Sequence, residues 1–202
     1  MMPLTAVSSP TNTGLARGFK AWSERAALRV REELGLAPTA PLEPQRLAKH
    51  LAVTLCSPEE IPGLSATTRD VLGSTEADGW SAVTISRNGR DVIIYNPRNS
   101  PARRASDLMH ELAHLLLGHE PSRFFFAAVG GANLRSYDPR QEAEAAWLAG
   151  CLLLPRPALL HMRNAGLSSA IACRTYGVSQ DLLRYRLSVT GVNRQVERAG
   201  RK

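Results

Sequence analysis

Apolar residues recur at two different periods along this chain, and the alternation between them lays out the elements. Helical spacing is clearest at Ala105, Leu108, Met109, Leu112, Ala113, Leu115 and Leu116, which predicts an amphipathic helix burying at least one side. Ser100-Pro101 supplies its N-cap and first-turn proline, and Gly118 its stop. A second strong segment runs over residues 140–154, opened by Asp138-Pro139 and closed by Pro155. An earlier helix is expected over residues 19–34, with Trp22, Ala26, Leu28 and Val30 among its apolar positions. A proline-bounded linker (residues 37–44) then leads into a short helix ending near Leu51. Strands are expected at residues 53–56, 82–86 and 92–95. The last two are joined by Asn88-Gly89, a hairpin-turn pair.

The 105–116 helix contains His110-Glu111-Leu112-Ala113-His114. Positions four apart differ by about 40° around a helix, so the two imidazoles share a face one turn apart. At that separation they can bind one Zn²⁺ through two tetrahedral positions. Glu111 leaves the helix beside the metal, where a carboxylate can take a proton from a water. A catalytic zinc needs a third protein ligand and one open position. His119 has the wrong spacing for the motif in which a third histidine follows a glycine turn. Extending the helix would carry it about 140° away from the metal face, so it is read as a surface histidine. The 140–154 helix is the better source. Glu144 shares a stripe with Leu148, Cys151 and Leu152 and points inward, and a buried carboxylate needs a partner. Glu142 lies over Ala145, Ala146 and Ala149, a face of small residues. Residue pattern leaves both glutamates open.

Asn96, Arg103, the His-Glu-Leu-Ala-His pentad and the run Glu-Ala-Glu-Ala-Ala-Trp-Leu-Ala-Gly-Cys-Leu-Leu-Leu-Pro at 142–155 together resemble the ImmA/IrrE family of metallopeptidases. The resemblance spans roughly residues 18–190. It implies Glu144, the glutamate before alanine, as third zinc ligand beside His110 and His114, with Glu111 as general base. It also implies an α+β, gluzincin-like core with a small antiparallel sheet beside the zinc helix. The implied substrate is a helix-turn-helix repressor, cut to release stress-response or mobile-element genes. Ala146, Leu148 and Leu154 depart from the family's asparagine, phenylalanine and methionine. The last two keep apolar bulk, whereas the first removes a polar group near the site.

The remaining features divide the chain into a disordered leader (1–14), a metallopeptidase core (15–165), helix-turn-helix-like helices (166–191) and a basic tail (192–202). In the third of these, a helix, the Tyr176-Gly177-Val178-Ser179 turn and a second helix follow one another. A DNA-reading version would offer Gln180, Arg184 and Arg186 to a groove. A helical hairpin packed on the peptidase core is preferred, because no dimer element is visible. Phe124-Phe125-Phe126 and Gly130-Gly131 read as a packing segment and a turn, Tyr137 as a weak oxyanion candidate, and Asp107 as a residue able to orient an imidazole.

Composition narrows the class. The 202 residues carry 25 Lys and Arg against 18 Asp and Glu, a net charge of +7, which favours acidic partners without choosing among them. Three unclustered cysteines suit reduced thiols in a cytoplasm. No segment has membrane-spanning length or a signal-peptide layout. The expectation is a cytoplasmic zinc endopeptidase acting on a protein. The alternative is a DNA-binding or repressor-binding regulator built on a catalytically silent zinc peptidase fold.

Overall fold

The computed structural model describes residues 14–63, 65, 81–87, 89–119, 124–125, 134–135 and 138–199. Residues 1–13 of the expected leader, Asn88, Phe126, Gly130, Gly131, Tyr137, Arg201 and Lys202 lie outside the described residues.

Apolar periodicity becomes helix almost residue for residue. Helix α1 spans Phe19–Glu33, α2 Pro44–His50, α3 Pro101–Leu117 and α4 Pro139–Leu153. Helices α5 (Arg156–Asn164), α6 (Ser169–Tyr176), α7 (Gln180–Thr190) and α8 (Val192–Ala199) follow. The anticipated caps are in place. The Ser100 side chain accepts from the Arg103 amide and Asp138 from the Arg140 amide, each satisfying a donor that the first turn leaves without an internal partner. Gly118 ends α3 at φ 67, a left-handed conformation that costs other residues more.

Helices α3 and α4 pack against each other through small and branched side chains. Leu108, Met109, Leu112 and Ala113 on one face Ala145, Leu148, Leu152 and Leu153 on the other, all essentially inaccessible to water. Helix α1 also packs against α4, and its Ala26, Ala27 and Val30 are buried in the same core.

Beside α3 lies a three-stranded sheet of order β1-β3-β2, built from Thr54–Cys56, Ala82–Arg87 and Arg90–Tyr95. The fold is therefore α+β, mostly helical, but the sheet is mixed rather than antiparallel. Strands β2 and β3 form the expected hairpin, paired from Ala82↔Tyr95 to Arg87↔Arg90 around Gly89 at φ 71. Strand β1 joins the other edge of β3 in parallel, Leu55 opposite Ile93. The long segment between Cys56 and Ala82 allows the chain to reach the far edge before β2 begins, a choice that strand alternation does not encode. Two short strands, β4 (Phe124–Phe125) and β5 (Leu134–Arg135), pair antiparallel between α3 and α4.

The C-terminus of α4 is buried, so its last carbonyls need donors other than water. Arg31 of α1 donates from Nη2 to the Leu152 carbonyl at 2.7 Å and from Nη1 to Ala27 O. Arg186 of α7 donates from Nε and Nη2 to Leu154 O at 3.1 and 3.0 Å, and from Nη2 to Glu24 at 2.6 Å. Gly150 makes room for it, since a Cβ there would lie 3.1 Å from Arg186 Cδ. Arg186 is thus 1 % exposed, which removes it from the residues that the less favoured DNA-reading alternative would offer to a groove. Three-residue spacing from the buried Leu183 puts it on the inward face of α7. Gln180 and Arg184 remain exposed, and Arg184 pairs with Asp181.

Replacing Arg186 with Met should destabilise the chain by about 3 kcal/mol, because Glu24 and the Leu154 carbonyl lose their buried donor. Arg184→Met should stay within about 0.5 kcal/mol. Urea unfolding of the two variants checks the contrast.

Candidate metal centre

Helix α3 carries His110 and His114 one turn apart, and their Nε2 atoms face each other at 3.1 Å. Glu142, in the first turn of α4, closes the figure. Its Oε2 lies 3.0 Å from His110 Nε2 and its Oε1 3.6 Å from His114 Nε2. Tetrahedral coordination with metal–ligand bonds of about 2.0–2.1 Å requires ligand atoms roughly 3.3–3.4 Å apart. The three separations bracket that spacing. Two nitrogens and a carboxylate oxygen are also the donor set that zinc accepts, so the residues fit the ion. All three side chains are only part-buried, which leaves an approach to the site.

Glu144, the ligand implied by the family resemblance, stands elsewhere in this geometry. Residues two apart on a helix diverge by about 200°, so Glu142 and Glu144 leave α4 in different directions. Glu144 is buried as its apolar stripe predicts. Its Oε2 lies 3.3 Å from His119 Nε2, and its Oε1 is 4.0 Å from Arg140 Nε. His119 in turn sets its Nδ1 2.9 Å from His114 Nδ1.

His119 is therefore no surface histidine: its side chain is 7 % exposed. Extrapolating the helix beyond its end misplaced it. Gly118 turns left-handed, the His119 amide bonds back to the His114 carbonyl at 3.0 Å, and the imidazole folds under the helix end. The signal for this was the glycine itself, which ends the 100° progression before residue 119.

Glu111 leaves α3 toward the sheet. The Thr84 hydroxyl, on β2, donates to Glu111 Oε2 at 2.5 Å. Sequence reading did not single out Thr84. Its only signal is a hydroxyl within an otherwise apolar Ala-Val-Thr-Ile run. Asp107 accepts from Asn99 Nδ2 at 3.0 Å, lies 3.8 Å from Arg103 Nε, and also interacts with the Ser81 side chain and, through charge, with His110. Burial still pushes its carboxyl above the ordinary value. An apolar hollow of about 520 Å³, lined in part by Ala146, Trp147, Leu182, Tyr185 and Val189, reaches His110 from the α7 side.

Burial, assisted by the neighbouring His110, pulls the His114 pKa down to about 4, with Glu142 opposing. Burial also lowers that of His119, against the pull of Glu144. Neutral imidazoles at neutral pH are the form that binds metal. The same shifts tie stability to pH. An unfolded histidine takes up its proton near pH 6.5 and the folded His114 only near 4, so the unfolded state binds more protons between them. The metal-free chain should hold this contribution above pH 6.5 and lose it as pH falls toward 4. Urea midpoints of chelator-treated protein at pH 7, 5 and 4 check it, and His114→Gln should flatten the fall.

Comparison with known proteins adds a family to this geometry. No curated protein matches the chain. A solved structure described as a Mycobacterium tuberculosis transcriptional regulator superposes with a TM-score of 0.51 at 16 % sequence identity, over 89 % of this chain and 52 % of that one. The chain thus spans about half the length of that protein, and the likeness is one of fold. The family model of the M78 peptidases, described as the IrrE N-terminal-like domain, matches residues 68–188. That match takes in β2, β3, both histidines, Glu111 and both glutamates of α4, and by it the chain belongs to the IrrE N-terminal-like peptidase family.

Proposed function

We propose that this protein is a zinc-dependent endopeptidase of the ImmA/IrrE type that acts on a helix-turn-helix transcriptional repressor. The observation that carries the reading is the triangle of His110, His114 and Glu142 with Glu111 held alongside by Thr84. A zinc ion bound by those three side chains would polarise a peptide carbonyl and lower the pKa of an adjacent water.

The protein's own groups supply the rest. Glu111 is the general base that takes a proton from the attacking water and delivers it to the departing amine. Thr84, by donating to Oε2, helps to orient that carboxylate. Among the described residues, strand β2 is one of the two edge strands of the sheet and bears Thr84. A substrate segment added along it would run past Glu111, the mode by which sheet edges take extended peptides. The hollow beside His110 suits an apolar side chain of that segment.

The family resemblance is what suggests a repressor as the substrate. The free thiols of Cys56, Cys151 and Cys173 support a reducing cytoplasm as the place of action. Among the described residues no single helix is long and apolar enough to cross a membrane. A second reading, a regulator that binds a repressor without cutting it, is supported by the fold likeness to the Mycobacterium tuberculosis transcriptional regulator.

Glu111→Gln should retain zinc while lowering cleavage by about 10²–10⁴-fold, the range over which a general base contributes. Mass spectrometry of a small helix-turn-helix repressor encoded beside this gene, incubated with the zinc-loaded protein, supplies the assay. Intact repressor with the unaltered protein favours the silent regulator. Equal cleavage by Glu111→Gln removes the base.

A further inference from the structure

We infer that His119 and Glu144 form a positioning relay for the metal ligand His114, so that the second glutamate of α4 serves the ion through two imidazoles rather than by binding it. The inference rests on the metal reading above and deepens it.

Hydrogen-bond bookkeeping leads there. His114 presents Nε2 to His110 and Glu142, and a nitrogen that gives its lone pair to a metal carries no proton. The ring proton of neutral His114 therefore sits on Nδ1, which lies 2.9 Å from His119 Nδ1. His119 must accept there, which moves its own proton to Nε2. That atom faces Glu144 Oε2 at 3.3 Å, and a carboxylate is the acceptor it needs. Each proton has one place and each acceptor one donor. Read outward, His114 Nδ1–H donates to His119 Nδ1, and His119 Nε2–H donates to Glu144.

Ligating histidines are held in orientation and tautomer by whatever accepts their second N–H, usually a carboxylate or a carbonyl. Here His114 Nδ1 faces His119 at 2.9 Å, and His119 in turn reaches the Glu144 carboxylate at 3.3 Å. Gly118 makes this possible by folding residue 119 back under the helix end. Arg140, 4.0 Å from Glu144 Oε1, holds the outer end of the relay. Glu142 and Glu144 then have separate duties, one on the ion and one behind it, which accounts for two glutamates in one turn pointing to different histidines.

The test is zinc affinity of the full-length protein, measured by competition with a chelating dye, alongside the visible spectrum with cobalt(II) in place of zinc. His119→Phe keeps a ring but accepts nothing, and should weaken zinc binding about 10–100-fold. His119→Asn places an amide oxygen near the position of Nδ1 and should recover most of that loss. Glu144→Gln should weaken binding about 10-fold in the normal background and not at all in the His119→Phe background, leaving the cobalt spectrum in place. Glu142→Gln should lose more affinity and change that spectrum, because it alters a ligand.

Unchanged affinity in His119→Phe, or equal weakness of His119→Asn and His119→Phe, overturns the relay. So does a Glu144→Gln variant that changes the cobalt spectrum as Glu142→Gln does, since Glu144 would then be a ligand. In those cases zinc binding by the unaltered protein leaves the peptidase reading standing. Failure of the unaltered protein to bind zinc overturns both. Should His119→Phe not fold, Glu144→Gln reads the same relay without disturbing a ring.

Discussion

Helix α4 starts at the surface and ends inside the protein, and the position of everything around it follows from how that buried end is satisfied. Its last carbonyls face protein, where each would cost about 1–3 kcal/mol without a donor. Arg31 and Arg186, from α1 and α7, supply the donors. Burying guanidinium groups is itself unfavourable: desolvation brings Arg31 down to about 10 despite the nearby anionic groups. The return is positional. Two arginines from distant parts of the chain fix the axial position and rotation of α4, and Ala113, Ala145 and Ala149 let α3 approach it closely. A rotation of α4 by one residue, about 100°, would take Glu142 off the histidine pair. The arginines at one end therefore guard the geometry of the carboxylates at the other.

Much of this was written in local pattern. Caps and period placed α1, α3 and α4 within a residue or two of where they lie, because those helices are amphipathic and their ends carry Ser100, Gly118 and Asp138. The His110–Glu111–His114 arrangement was equally legible, since it depends only on helical geometry inside one element. The direction of β1 was not, because a three-residue strand has no pattern that distinguishes a parallel from an antiparallel neighbour. Nor was the duty of each glutamate. Periodicity said that Glu144 is buried, and it is. What lies against it depends on a residue from beyond the end of another helix, and no helical wheel reaches past Gly118.

Arg186 shows the same limit from the opposite side. A long basic residue on the second helix of a helix-turn-helix pattern invites a nucleic-acid reading when only its own segment is considered. The partners that decide otherwise, Glu24 and the Leu154 carbonyl, are separated from it by 162 and 32 positions. Long-range polar contacts of this kind are invisible to local hydropathy because the charge is satisfied, not absent.

The inward turn of Arg186 has a consequence for the C-terminal helices as a group. A recognition helix needs its cations outward, where each phosphate contact contributes to affinity and to its salt dependence. On α7 Arg186 is committed to α4 and to Glu24, and exposed Arg184 is already paired with Asp181 in the preceding turn. What α7 does show to solvent includes Tyr185 and Val189, both exposed, and these line the hollow that reaches His110. Helix α7 is thus held to α4 by a buried arginine, while its exposed apolar side chains border the hollow beside His110. The same helix that anchors the end of α4 therefore also shapes the space next to the histidine pair.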